Sequence, residues 1–166
     1  RSGIVSSQTI QEMKSGLDAM AYRGPDGEGL WSRSGVCLGH RRLSIIDLSP
    51  AGAQPFHNER AGLHITFNGE IYNYRELRHL LEGHGFTFSS QSDTEVILAA
   101  YSFFGDSFVQ QLRGMFAFVL YDEKNHRVVL VRDRLGKKPF YYHLDDQRLL
   151  VSSEIKSFHA FRHANL

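Results

Sequence analysis

Apolar residues recur at helical spacing near the start of the chain: Ile10, Met13, Leu17 and Met20 predict an amphipathic helix over residues 7–22, with Ser6 or Ser7 placed to cap it. The run Arg23-Gly24-Pro25-Asp26-Gly27 ends that pattern, because Gly and Pro punctuate regular structure. Strand-length segments follow at 29–32, 36–40 and 64–67, separated by Gly, Pro, Asn and Ser. Asn73-x-x-Glu76 and Ser92-x-x-Glu95 have the form of capping boxes. Each precedes an amphipathic run, Leu77, Leu80 and Leu81 in one and Val96, Ile97, Ala100, Tyr101 and Phe104 in the other. Residues 116–121 and 128–131 are near-continuous apolar runs, as expected of strands buried on both faces, with Glu123-Lys124-Asn125-His126 as the hairpin turn between them. Strands at 140–143 and 149–152 and a short helix from Glu154 complete the pattern. Helices grouped between sheet segments imply a layered α+β fold.

Composition narrows the class. A chain of 166 residues, 42% hydrophobic, is long enough for one sizeable core, so residues 1–166 are expected to form a single domain. Nineteen Lys plus Arg against eighteen Asp plus Glu leave no surplus charge for sequence-blind binding to nucleic acid or an anionic membrane. No apolar run approaches the roughly 20 residues of a bilayer helix, and the opening RSGIVSSQTI lacks the apolar centre of a signal peptide. A single cysteine, Cys37, allows no internal disulfide and no zinc-thiolate site, which fits a reducing compartment such as the cytoplasm.

Three places carry candidate chemistry. Asn68-Gly69-Glu70 follows directly on an apolar strand, where a side-chain amide and a glycine N–H form the donor pair an oxyanion hole needs. The same dipeptide also suits a type I′ hairpin turn. Arg41-Arg42 stands at the head of an apolar stretch, where a forked guanidinium could hold a substrate carboxylate, pair structurally with Asp47 or lie at an exposed edge. Asp93 stands in a capping position; it could serve the helix or receive a substrate ammonium. Nine histidines show no metal-ligand spacing, and no Walker or GxSxG pattern is present. Cys37, between Val36 and Leu38, reads as an inert core thiol.

Taken together, Tyr22-Arg23-Gly24-Pro25-Asp26-Gly27-Glu28-Gly29, Gly39-His40-Arg41-Arg42-Leu43-Ser44-Ile45-Ile46-Asp47, Phe67-Asn68-Gly69-Glu70-Ile71-Tyr72-Asn73, Ser92-Asp93-Thr94-Glu95, Gly114-Met115-Phe116-Ala117-Phe118, Arg132-Asp133-Arg134-Leu135-Gly136 and Ser153-Glu154-Ile155-Lys156 resemble the class II glutamine amidotransferase domain of glutamine-hydrolysing asparagine synthetases, over nearly the whole chain and in the family's order. The resemblance implies a four-layer αββα sandwich of the N-terminal-nucleophile hydrolase type that hydrolyses glutamine to glutamate and ammonia. It implies that Arg42 grips the substrate α-carboxylate beside the backbone of Ile45 and Ile46, that Asn68 and Gly69 form the oxyanion hole, and that Glu70 and Asp93 hold the α-ammonium. No cofactor is implied in this domain. ATP and Mg belong to a synthetase domain, on the same polypeptide or a separate subunit, which activates aspartate or another carboxylate.

The chain departs from that family at its start. The family nucleophile is an N-terminal cysteine whose α-amine acts as base, whereas this chain opens Arg1-Ser2-Gly3-Ile4. Ser2 could replace the cysteine, but Gly3, Ile4 and Val5, at about 3.3 Å per residue, are too short for a buried strand ahead of the Ser6 cap. The preferred expectation is that the first strand, with its cysteine, lies upstream and that these 166 residues alone are inactive. The rival is a catalytically silent module docked on a synthetase domain. A different N-terminal-nucleophile amidohydrolase is a third reading.

Overall fold

The computed structural model describes residues 3–43 and 49–161. The chain runs α1 (Ser7–Ala19), β1 (Gly27–Arg33), β2 (Val36–Arg42), β3 (Phe56–Asn58), β4 (Leu63–Ile71), α2 (Tyr74–Gly83), α3 (Asp93–Phe104), α4 (Phe108–Gln111), β5 (Gly114–Asp122), β6 (Arg127–Arg132), β7 (Tyr141–Leu144) and β8 (Leu149–Ser152), with a 3₁₀ segment at Ile155–Ala160. Antiparallel pairing produces one sheet in the order β3-β4-β5-β6 and two hairpins, β1-β2 and β7-β8.

Alternation along β4 sets the layers, since successive side chains leave a strand on opposite faces. Leu63, Ile65, Phe67 and Ile71 join Phe116, Phe118 and Leu120 of β5 and the apolar faces of α2 and α3 in one buried cluster. Full burial of an aliphatic side chain there stabilises by about 1.5–3 kcal/mol, so this face anchors the two helices. The intervening residues of β4 face the hairpin layer. His64 stacks on Trp31 of β1 with ring centroids 3.9 Å apart, and the Thr66 hydroxyl donates to Gly39 O of β2 at 3.0 Å. On the far side of β2, Gly39 lies under Leu17 and Met13 of α1. The order helix, sheet, hairpin layer, helix is an αββα sandwich.

Several boundaries differ from the sequence reading. The first helix stops at Ala19, where Met20 N–H bonds to Leu17 O and the chain tightens into a 3₁₀ turn. Asn73 makes no cap bond; its amide ties the start of α2 to Gln111 O and Arg113 N–H instead. Ser92 does cap α3, accepting from Thr94 N–H, but Glu95 turns away to accept from Ser89 and Ser90. Burial on both faces holds for β5 only: β6 is an edge strand whose Val128 and Leu130 are 39% and 37% exposed. The short β3 follows Pro55 and offers too few residues for a period to show.

Asn68-Gly69 is not a turn. It lies within β4, opposite Ala117 and Phe116. A Cβ on Gly69 would stand 2.2 Å from Met115 O, and one on Gly114 would stand 2.1 Å from Glu70 O, so the two strands approach more closely here than side-chained residues permit. Gly69→Ala should therefore cost about 3 kcal/mol or more. Gly83→Ala, at a helix position with nothing within 4 Å of the added carbon, should be neutral or stabilise by up to about 1 kcal/mol. Denaturant unfolding of the two variants checks this, and equal stabilities would contradict it.

Candidate functional site

The site is built along one edge of β4. Tyr72 N–H bonds to Arg113 O at 2.8 Å, so antiparallel alternation turns the N–H groups of Ile71, Gly69 and Phe67 away from β5. β3 covers that edge only at Leu63, His64 and Ile65. Beyond it, Phe67 N–H donates to Gln54 Oε1 at 2.7 Å and Ile71 N–H donates to Asp93 Oδ2 at 2.9 Å. Gly69 N–H lies between them and finds no acceptor among the described residues. Beside it, the Asn68 amide faces the hairpin layer and donates one Nδ2 hydrogen to Ser153 Oγ at 3.3 Å. Two neutral donors thus flank one point of the edge.

Arg42, Asn68, Gly69 and Asp93 line one cavity of about 930 Å³, whose walls include β2 residues Val36 to Arg42 and β8 residues Leu149 to Ser152. Arg42 closes β2. Its carbonyl accepts from Asp26 N–H at 3.0 Å, its backbone bridges to Pro25, and its guanidinium donates to Ser49 O at 2.9 Å. Asp93 is the first residue of α3 rather than its cap, and is 4% exposed. Burial pushes its carboxyl up to about 6; N–H bonds from Ile71 and Thr94 oppose the rise and the charge of Glu70 adds to it. Glu70 itself stands outside the cavity lining and acts on Asp93 through its charge. Ser2, Ile45, Ile46 and Asp47 fall outside the described residues.

Two further groups face this cavity. His40 Nδ1 lies 3.3 Å from Thr66 Oγ1, whose own hydrogen goes to Gly39 O, so the hydroxyl accepts and His40 carries its proton on Nδ1. Burial, then the charge of Arg42, push the His40 pKa down to about 4, and the ring is neutral at physiological pH. Cys37 is only half-buried and borders the cavity, which corrects the expectation of a core thiol; burial nevertheless raises its pKa and keeps it protonated.

A cation, a buried anion and a pair of neutral donors within one cavity can hold the two charged ends of an amino acid and face developing negative charge on a carbonyl. The sequence profile of the glutamine amidotransferase domain matches residues 2–165. The chain belongs to the glutamine amidotransferase domain family. The domain is 48% identical over 158 residues to amidase chry2 of Gibberella zeae, with 94% of this chain and 23% of that protein covered. It is 45% identical over 138 residues to glutamine-hydrolysing asparagine synthetase 1 of Bacillus subtilis, covering 83% of this chain and 22% of that one. The amidotransferase domain thus spans less than a quarter of these two relatives. Among solved structures, the B. subtilis glutamine phosphoribosylpyrophosphate amidotransferase superposes with a TM-score of 0.78 at 21% identity, covering 95% of this chain and 42% of that one. The fold is accordingly the α+β sandwich of the N-terminal-nucleophile hydrolases.

Sequence reasoning missed Gln54, His40, Thr94 and Ser153, which line the same cavity. His40, Thr94 and Ser153 lie inside motifs that carry the family resemblance, whereas Gln54 has no periodic or motif signal. The motifs around Tyr22 and Glu154 do meet: the Tyr22 hydroxyl and the Arg23 guanidinium both donate to the Glu154 carboxylate.

Asp93 carries a testable pH signature. Its folded pKa is raised, so the folded state binds more protons than the unfolded chain between about 4 and 6, and its contribution to stability falls as pH rises through that window. Asp93→Asn mimics the protonated form and keeps an acceptor for Ile71 N–H. It should be more stable than the parent by about 1–3 kcal/mol above pH 6, with the difference vanishing near pH 4, as read by denaturant unfolding across pH. A less stable variant at neutral pH would contradict the assignment.

Proposed function

We propose that this domain hydrolyses the side-chain amide of glutamine and that the ammonia released is used by an ATP-dependent synthetase, on the same polypeptide or on a separate subunit. The observation that carries this reading is the convergence of Arg42, Asp93, Asn68 and Gly69 on one cavity. Arg42 takes the α-carboxylate. Asp93 takes the α-ammonium, with Glu70 adding negative charge.

The nucleophile is a cysteine thiol at the end of a strand seated between β2 and β8; Ser2 is the less favoured source. Both strands leave one edge unpaired among the described residues, and both line the cavity. A free amino acid is smaller than the drug-sized ligands that cavities of roughly 300–1,000 Å³ accommodate, so this one has room for more than glutamine. The thiolate adds to the amide carbonyl carbon, and Asn68 Nδ2 and Gly69 N–H hold the resulting oxyanion. The C–N bond breaks and nitrogen leaves as ammonia with the proton given up by the thiol; water then cleaves the thioester to glutamate and restores the thiol.

No cofactor is assigned to this domain, and ATP and Mg are assigned to the synthetase. The acceptor is a carboxylate that the synthetase activates, aspartate by default, and the setting is cytoplasmic. No helix among the described residues is long and apolar enough to cross a membrane.

The full chain, from its native N-terminus, should release ammonia from glutamine. Arg42→Ala and Asp93→Asn should each weaken glutamine binding by about one to two orders of magnitude in calorimetry, the loss of one charge-assisted bond of about 1.5–3 kcal/mol. Glutamine binding unaltered in both variants would sink the reading. Binding without ammonia release would favour a silent module.

A further inference from the structure

The glutamine amide must meet Gly69 N–H at a fixed angle, yet Gly69 has no side chain to hold it. Its neighbours on the β4 edge are held. Phe67, two residues before it and buried, gives its N–H to Gln54 Oε1 at 2.7 Å. The other end of the same amide, Gln54 Nε2, reaches the hydroxyl of Thr94 at 3.5 Å, and Thr94, 2% exposed, directly follows Asp93 in the first turn of α3. One side chain therefore spans from the strand that carries Asn68 and Gly69 to the helix start that carries Asp93, and it lines the same cavity.

The base of that side chain is also confined. A Cβ on Gly29 of β1 would stand 1.9 Å from the Gln54 carbonyl oxygen and 3.0 Å from Pro55, so β1 backbone presses directly on the Gln54-Pro55 unit. Confined below and bonded at both amide atoms, Gln54 has little rotameric freedom.

We propose that Gln54 is a positioning residue of this site, a bracket that sets the angle of the β4 edge against the start of α3 and so aims Gly69 N–H at the bound amide. The inference rests on the glutaminase reading and deepens it. Without the Gln54 side-chain oxygen Oε1, Phe67 N–H is left buried and unpaired, and the edge relaxes to find water or another acceptor. A displacement of about 1 Å at the reacting centre costs up to about a hundredfold in rate. Asp93 keeps its own bond from Ile71 N–H and Arg42 sits on β2, so the groups that grip the substrate ends stay tethered and the effect falls on turnover rather than on affinity.

The test uses the full chain and steady-state ammonia release from glutamine, with thermal unfolding measured in parallel. Gln54→Met, of similar length but without polar atoms, should lower kcat about 10–100-fold and leave KM within about threefold. Gln54→Glu keeps an acceptor for Phe67 N–H and, assayed near pH 8 where Asp93 is ionised, should return kcat to within about fivefold of the parent. Parental kcat in a folded Gln54→Met, or kcat and KM moving together in step with lost folded protein, overturns the proposal. So does a folded Gln54→Glu as slow as Gln54→Met. Should Gln54→Met not fold, Thr94→Val decides, because it removes only the far anchor and should lower kcat about threefold or more without raising KM; unchanged kcat overturns the bracket. No ammonia release from the parent would overturn the glutaminase reading and the role of Gln54 with it.

Discussion

A strand edge inside a protein cannot leave its N–H groups unpaired without cost, and the organisation of this domain follows from how one such edge is satisfied. Past Ile65, β4 has no neighbouring strand on the side of α3, so three N–H groups at alternate residues, roughly 6.8 Å apart, need acceptors from elsewhere. A glutamine side chain takes the first and an aspartate takes the third. Because both acceptors come from other elements, the loop before β3 and the first turn of α3 are drawn to the same strip of backbone. The middle donor stays available at the point where both elements converge.

The same strip explains the charge balance of the site. Asp93 is held among buried groups, with Glu70 near enough to resist its ionisation. His40, on the opposite layer, is held neutral by burial and by Arg42. Their effects on stability have opposite signs: Asp93 makes the folded state hold protons up to about pH 6, and His40 makes it shed them down to about pH 4. Between those values the two largely offset. The domain tolerates an unfavourably placed carboxylate, which is what an amino-acid site needs if its cation is to come from the substrate.

Legibility in the sequence tracked the range of the interactions. Helical periodicity, the Ser6 and Ser92 caps and the β5–β6 hairpin are local, and they were readable to within a few residues. The partners of Asn73 and Glu95 were not, because the capping-box pattern specifies residue types and not competing acceptors such as Gln111 O or competing donors in Ser89 and Ser90. Asn68-Gly69 could be read two ways from its dipeptide, and only its pairing with Ala117 and Phe116, nearly fifty residues on, distinguishes a strand from a turn. Gln54 was invisible for a related reason. Its role comes from touching Phe67 and Thr94, and no spacing rule connects those positions.

The paired glycines at 69 and 114 have a consequence for assembly of the sheet. Strands rich in Val, Phe and Ile can slide past one another by two residues and still present an apolar face to the helices, so apolar patterning alone selects the face and not the alignment. Here the backbones touch where both glycines lie, with contacts at Met115 and Glu70 that leave no room for a side chain. A two-residue slip would bring Phe67 or Ile71 to the crossing, and either would collide. The glycines work as the notch of a key, admitting one alignment of β4 on β5 out of several that hydrophobicity would accept, and the admitted alignment is the one that sets Asn68 against Ala117.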